Sequence, residues 1–329
     1  MRRFYSLLFH RSAAALIDAL CALRFPKLTR RFRRIHGRAP KFALPETYYD
    51  WMQWRKVFDH NPLFITLGDK LKAKDYIAQH IPALTLPRVL WSGDGSTAIP
   101  EEVLQGNVVI KTSDGSGRNF FIQDGKYNRG ELSLTLKRWL SEGAYGRRFG
   151  EWAYSRMKRR IFVEELLPSS TGLLIDISIR AGSGQVAFGS LVVHAKSDRE
   201  STIYLSRDGD LLSVEYGEGV SEAEIDAIPV PPGYEAAISH AARLSRDVDY
   251  ARFDFLWSDG VLYGGEITVY PGSGIDPLHL QTQRTDATPM FVWDVRRSWF
   301  LSTPQPGWRG IYREMLLDEL DQREIAATS

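Results

Sequence analysis

The stretch Ala251-Arg252-Phe253-Asp254-Phe255-Leu256-Trp257 alternates charged and aromatic side chains. As a strand it sends Arg252 and Asp254 to one face and Phe253, Phe255 and Trp257 to the other. Asp259-Gly260 marks a tight turn between strands Ala251 to Ser258 and Val261 to Thr268, and the returning strand brings Glu266 to about one residue from the position facing Asp254. Gly264-Gly265 offers a bulge that adjusts this register. Two carboxylates so close repel each other unless a positive charge lies between them. Mg²⁺ meets that need, since it takes one or two carboxylates together with phosphate oxygens. Arg252 then stands where it can meet a phosphate or a developing negative charge. The hairpin alone is equally compatible with an Arg–Asp ion pair beside an exposed Glu. Pro271-Gly272-Ser273-Gly274 follows, read as a mobile glycine loop beside the acids, which favours a site.

A second group of residues suits phosphate chemistry. Lys111 ends an apolar strand and is followed at once by Ser113-Asp114-Gly115-Ser116-Gly117. A glycine-rich backbone can approach phosphates and present N–H groups to them. The loop lacks the Gly-Lys-Ser/Thr of a P-loop and opens no helix, so it reads as a hairpin flap over a nucleotide or as a plain turn. Lys70 and Lys74 lie one helical turn apart and can share a face. Glu164-Glu165 close the strand Ile161-Phe162-Val163, where a carboxylate can accept from an adenine amino group or simply face solvent. His194, Lys196 and Arg199 follow another strand, as acceptor-pocket lining or as a surface loop.

The elements that must position these residues are readable in outline. Asp69 to His80 has helical character, and Ile81 to Val89 reads as extended. Asn107 to Lys111, Asn119 to Gln123, Arg160 to Glu165, Leu173 to Arg180 and Gln185 to His194 read as strands. Gly130 to Glu142 carries Leu132, Leu136 and Trp139 on one helical face. Tyr234 to Val248 and Gly310 to Glu324 are further helices. Strands and helices mix without regular βαβ alternation, so the expected class is α+β with largely antiparallel sheets.

The chain has 329 residues, 43% hydrophobic and 25% charged, with a net charge of +2. That is enough apolar material for a sizeable core, and no global charge points to a nucleic-acid partner. The single cysteine, Cys21, excludes an internal disulfide or a cysteine metal cluster. Residues 1–41 hold eleven Lys or Arg against one acid, Asp18. The apolar stretch after Arg2 and Arg3 is interrupted by His10, Arg11 and Asp18, and its runs are too short to span a bilayer, so it reads as a retained amphipathic helix at the head of this basic segment. Its basic side either meets anionic lipid or a polyanionic substrate, or is a solvated face docked on the main body. The tryptophans, Trp51, Trp54 and Trp91 among them, read as core.

Taken in order, Asp69-Lys70, Lys111 with its glycine loop, Glu164-Glu165-Leu166-Leu167, Arg252-x-Asp254 and Glu266-x-Thr268 resemble the ATP-grasp superfamily. The TupA-like branch, associated with bacterial surface polymers, is the most similar. Trp54-Arg55-Lys56-Val57-Phe58-Asp59, Asn61-Pro62-Leu63, Trp152-Ala153-Tyr154-Ser155 and Gly265-Glu266-Ile267-Thr268 add to the likeness, which runs from about Pro45 to Tyr312. The resemblance implies two α+β lobes clamping ATP. Residues 1–60 would form a basic helical region, 61–315 the ATP-grasp domain with a small lid lobe at about 105–165, and 316–329 a helix end and tail. Lys70 and Lys111 would contact ATP phosphates under a flap containing Ser113, Gly115, Ser116 and Gly117. Glu164 would bind the adenine amino group, the backbones of Glu165 and Leu167 the ring edge, and Asp176 the ribose. Asp254, Glu266 and Thr268 would hold Mg²⁺, as two ions, with Arg252 and Lys111 as the catalytic cations. Thr268 stands where many ATP-grasp enzymes have Asn, and Ser178 where this branch often has Lys.

The activity so implied joins a carboxylate, activated as an acyl phosphate, to an amine. Its substrates would be small molecules or polymer ends in surface-polymer building, in the cytoplasm or at the inner face of the membrane, with residues 1–41 touching that surface. Phosphorylation of a hydroxyl such as a sugar's would use the same ATP site. A non-catalytic surface-binding protein is the remaining reading.

Overall fold

The computed structural model describes residues 2–95, 98–169, 174–193, 195, 197–277 and 293–328. The basic N-terminus forms two helices, α1 (Arg2–Arg24) and α2 (Pro26–His36). Pro26 causes the break: it has no N–H to continue α1, yet it suits the first position of a new helix. α2 buries Leu28, Thr29 and Phe32 and leaves Lys27, Arg30, Arg33 and Arg34 exposed. α3 (Tyr48–Val57) starts at a capping box between Thr47 and Asp50. α4 (Leu63–Gly68) is followed by α5 (Lys70–His80), whose N-cap Asp69 accepts from the N–H groups of Leu71 and Lys72 at 3.0 and 3.3 Å.

A small sheet comes next. Its strands are β1 (Val89–Gly93), β2 (Val108–Thr112), β3 (Asn119–Ile122) and β4 (Ile161–Glu165), in the order β1-β4-β2-β3, all antiparallel. The sheet therefore reaches back to Val89, ahead of the boundary expected near 105. β1 pairs with β4, far along the chain, and so carries no local signal. Between β3 and β4 run α6 (Arg129–Ser141) and α7 (Trp152–Arg156). Leu132 and Trp139 of α6 bury against Val108, Ile110, Ile122, Ile161 and Val163, with Leu136 at the margin.

The large sheet holds β5 (Ile175–Gly182), β6 (Gln185–Val193), β7 (Ser201–Leu205), β8 (Leu211–Glu215), β9 (Ala251–Ser258) and β10 (Val261–Thr268). Their order is β10-β9-β5-β6-β7-β8, again antiparallel throughout. α8 (Glu222–Asp226) and α9 (Gly233–Leu244) precede β9. Ile177, Ile179, Phe253 and Phe255 share a core with Ala237, Ala241 and Leu244 of α9. Each such aromatic contributes about 1.5–3 kcal/mol on burial. The β9–β10 turn has Asp259 at φ 47° and Gly260 at φ 81°, the left-handed pair that a two-residue hairpin loop requires.

α10 (Trp299–Ser302) and α11 (Trp308–Thr328) return to the start of the chain. Phe32, Trp54, Phe58, Phe300, Tyr312 and Leu316 form one core, so the N-terminal region and the C-terminal helix are a single packed unit. Trp51 and Trp54 are buried in it, while Trp91 is only partly buried, against the small-sheet core. Among the described residues no helix is long and apolar enough to cross a membrane.

Candidate active site

The β9–β10 hairpin arranges its acids through a bulge. Gly264 faces Phe255 and Ile267 faces Phe253, so Gly265 and Glu266 together oppose Asp254. A Cβ on Gly265 would stand 2.6 Å from the Asp254 carbonyl oxygen, which explains why glycine precedes Glu266. Phe253 and Phe255 turn into the core at 1% exposure each, and this fixes Arg252 and Asp254 on the opposite face.

On that face Arg252 grips Asp254 with two contacts, Nε to Oδ1 and Nη2 to Oδ2, both 2.7 Å. Burial would lower the Arg252 pKa, but Asp254 more than offsets it and holds the guanidinium firmly charged. Ser178 Oγ donates to Asp254 Oδ1 at 2.7 Å, and Thr268 Oγ1 lies 3.5 Å from Oδ2. Glu266 pairs with Lys70 Nζ at 2.7 Å while its side chain stays 39% exposed. Burial pushes its pKa up; Lys70, then Lys111 and Arg252, pull it below the usual carboxylate range.

The small sheet and α5 supply the facing cations. Lys111 and Lys74 bracket the Glu164 carboxylate at 2.8 and 2.9 Å. Burial lowers the Lys74 pKa despite Glu164. An adenine amino group reaching Glu164 must share oxygens already held by two ammonium groups. The Glu165 N–H donates to the Arg88 carbonyl at 3.0 Å and that of Leu166 to Asn107 at 2.9 Å, so these two N–H groups are committed to the sheet. Leu167 follows β4 at the sheet margin, half-buried. Asp176 lies on β5 opposite Leu256, on the face it shares with Ser178.

Two expectations require correction. Ser113 is fully buried: its N–H donates to the Arg160 carbonyl, its Oγ accepts from the Arg160 N–H, and its carbonyl accepts from the Lys70 N–H. It is a structural tie rather than a flap donor. Asp114 beside it is locked by Arg159 through contacts of 2.7 and 2.9 Å. Gly115, at φ 72°, packs under Tyr145, and Ser116 Oγ meets Tyr145 Oη at 2.8 Å. Gly117, also at φ 72°, is open. Nor is the Pro271–Gly274 loop mobile. Gln53 Nε2 donates to the Gly274 carbonyl at 2.6 Å, Lys56 Nζ holds the Ser273 carbonyl and hydroxyl, and Ser273 Oγ donates to Glu151 at 2.7 Å.

The sequence reading missed Ser178 as a partner of Asp254, and it did not assign Lys74 to the site although it placed Lys74 on the face of Lys70. It also missed how the hairpin is held. Buried Arg55 on α3 donates to the carbonyls of Tyr250 at 2.7 Å and Val269 at 3.2 Å and pairs with Asp249 at 2.6 Å. It thereby ties the entry of β9 to the exit of β10. Arg199 is exposed and paired with Glu224, in keeping with a surface loop; His194 and Lys196 lie outside the described residues.

An antiparallel sheet carrying the acids, joined through the Lys70–Glu266 contact to a helix and a smaller sheet that carry the lysines, matches the ATP-grasp arrangement. Residues 50–287 match the family described as TupA-like ATPgrasp. The chain belongs to the TupA-like ATP-grasp family. No curated protein matches it significantly. Among solved structures it is similar to a D-alanine–D-alanine ligase from Bacillus anthracis complexed with ATP, with 17% identity over 79% of this chain and 68% of that one, TM-score 0.37. It is also similar to the ATP-grasp ligase PsnB complexed with a minimal precursor, with 13% identity over 69% of this chain and 59% of that one, TM-score 0.35. An L-amino acid ligase from Bacillus licheniformis overlaps at 15% identity over 64% and 42%, TM-score 0.35. The family match, and not these distant overlaps, carries the assignment.

Proposed function

We propose that the protein is an ATP-dependent ligase that activates a carboxylate as an acyl phosphate and joins it to an amine. The observation that supports this most is the placing of Asp254 and Glu266 opposite each other across the hairpin bulge, each engaged by a cation, Arg252 and Lys70. The donor set of two carboxylates and the Thr268 hydroxyl is all oxygen, which suits Mg²⁺. Among the described residues no cluster of three or more His, Cys, Asp or Glu side chains forms, so phosphate oxygens and water would complete the shell. Bound there, Mg²⁺ supplies neutralising charge to the polyphosphate.

Lys70 and Lys111 orient the phosphates, and Lys74 shares the Glu164 anchor with Lys111. Asp176 takes the ribose, and the strand end at Glu164, Glu165 and Leu167 borders the adenine. Gly115, Ser116 and Gly117 form the rim over the phosphates. An oxygen of the substrate carboxylate attacks the γ-phosphorus and ADP leaves. The amine nitrogen then attacks the acyl carbon, phosphate departs, and the amine gives up a proton. Arg252, beside Asp254 on the site face, would offer its fork to the negative charge that develops in both steps, while Asp254 would help hold Mg²⁺. The rim keeps water from the acyl phosphate.

The family resemblance supports a role for the product in surface-polymer building. The exposed basic side of α2, with Lys27, Arg30, Arg33 and Arg34, suits an anionic membrane surface. The test is ADP release with Mg-ATP across panels of acids and amines, with hydroxylamine as a trap for acyl phosphate. ADP with free phosphate and a new amide or hydroxamate is the expected outcome. A stable phosphorylated hydroxyl product would replace the ligase with a kinase.

A further inference from the structure

The face of the large sheet that carries Asp254 continues to a second arginine. Arg180 on β5 stands directly opposite Arg252 on β9. Opposed residues on one face have Cβ atoms about 5 Å apart, and like charges so placed repel. Asp254 offsets Arg252 alone, through both of its oxygens.

Arg180 is only 7% exposed. Its contacts are neutral: Nη1 reaches Ser190 Oγ at 3.3 Å, and Cζ lies 4.7 Å from the centroid of the Phe188 ring. Its Nε is buried without any acceptor. Among the described residues Arg180 forms no ion pair, and the Asp50, Asp249 and Asp254 carboxylates are taken by Arg38, Arg55 and Arg252. Withdrawing a guanidinium this far from water is costly unless an anion joins it. Because Nη1 is turned toward Ser190, the side left over is the Nε edge, one of the edges through which arginine grips a carboxylate with two parallel bonds.

The position along the strand narrows the ligand. Asp176, Ser178 and Arg180 alternate along one face of β5. The Ser178 row faces Asp254, and the Arg180 row faces Arg252. At about 3.4 Å per residue, Arg180 lies about 7 Å from the Asp254 row, on the side away from Asp176. With the ribose at Asp176 and the phosphates at Asp254, as proposed above, this is the side left for the acid substrate. A carboxylate held by two parallel bonds has one lone pair of each oxygen engaged and its charge offset by the guanidinium, so it is a weaker nucleophile than a free carboxylate.

We propose that Arg180 anchors a non-reacting carboxylate of the acid substrate, so that the substrate class is an acid carrying a second carboxylate. The inference rests on Asp254 and Glu266 marking the phosphate end.

Calorimetric titration of the full chain tests it with three probes: succinate, its single-carboxylate counterpart butyrate, and inorganic phosphate, each added to protein loaded with Mg-ADP. The wild type should bind succinate at least tenfold more tightly than butyrate. Arg180→Gln should lose that preference while its affinity for Mg-ADP stays the same. If Arg180→Gln does not fold, Arg180→Lys, which keeps the charge but loses the fork, should weaken the preference at least threefold. Equal binding of succinate by wild type and variant, no preference in the wild type, or tightest binding of phosphate would each overturn the proposal. Failure of the wild type to bind Mg-ADP would strike the function reading beneath it; normal Mg-ADP binding with no succinate preference strikes this inference alone.

Discussion

Lys70 joins Glu266 by its side chain, at 2.7 Å, and Ser113 by its backbone, its N–H donating to that carbonyl at 2.9 Å. One residue at the start of α5 thus connects the acid-bearing hairpin of the large sheet to the loop that leaves the small sheet. Asp69 makes this possible by capping α5 one residue earlier, which sets where the helix begins and where Lys70 points.

Glu266→Gln keeps the size of the side chain and removes its charge. ADP formation should fall at least a hundredfold, because the pair facing the phosphates loses a carboxylate. The melting temperature should stay within a few degrees, since the Lys70 contact is about two-fifths exposed on the Glu266 side and such pairs contribute about 0–1 kcal/mol. Steady-state ADP release together with thermal denaturation checks both, and undiminished turnover would remove Glu266 from the site.

Gly265→Ala tests the bulge. The added methyl meets the Asp254 carbonyl oxygen at 2.6 Å, so the two strands must part where Glu266 is presented. A destabilisation of about 1–3 kcal/mol is expected from such overpacking, with turnover reduced beyond what the remaining folded fraction accounts for. Denaturant titration alongside activity separates the two; loss of stability with full specific activity would mean that the bulge does not set the position of Glu266.

Glu164→Gln leaves Lys74 and Lys111 without their shared anion. Glu164 is 6% exposed and its partners are 12% and 19% exposed, so breaking this buried set should cost about 3–5 kcal/mol. Adding Lys74→Met to the same chain should recover part of that loss, because one uncompensated cation goes with it. A double-mutant cycle by urea denaturation measures the recovery, and strict additivity would mean that the two residues do not interact.

Asp59 governs a pH dependence. Burial, and then the charge of Asp249, raise its pKa to about 7, against about 4 in an unfolded chain. The native state therefore keeps a proton that the unfolded state has already lost, and this contribution to stability declines as pH rises from about 4 to about 7. Asp59→Asn retains the acceptor for the Phe300 N–H, now at 2.9 Å, and should flatten stability across that window. Denaturation at several pH values checks the slope; equal slopes in both proteins would exclude Asp59 as its source.

What the amino-acid order settled by itself was local. Alternation in Arg252-Phe253-Asp254-Phe255 placed charge and bulk on opposite faces, Asp259-Gly260 closed the hairpin, and the expected bounds of β9 and β10 coincide with the observed ones. The early helix, the lysine strand and the α+β class were equally plain, because each rests on a short-range period or a turn residue. Tertiary structure alone decided which distant segments meet. It drew β1 into the small sheet, set Lys74 and Lys111 on the same Glu164, brought Ser178 to Asp254, buried Ser113, pinned the Pro271–Gly274 loop and stood Arg180 opposite Arg252. These are matters of strand register and of burial between residues far apart in the chain. Neither leaves a periodic trace in the sequence, since each depends on what the partner segment presents once the sheets have formed.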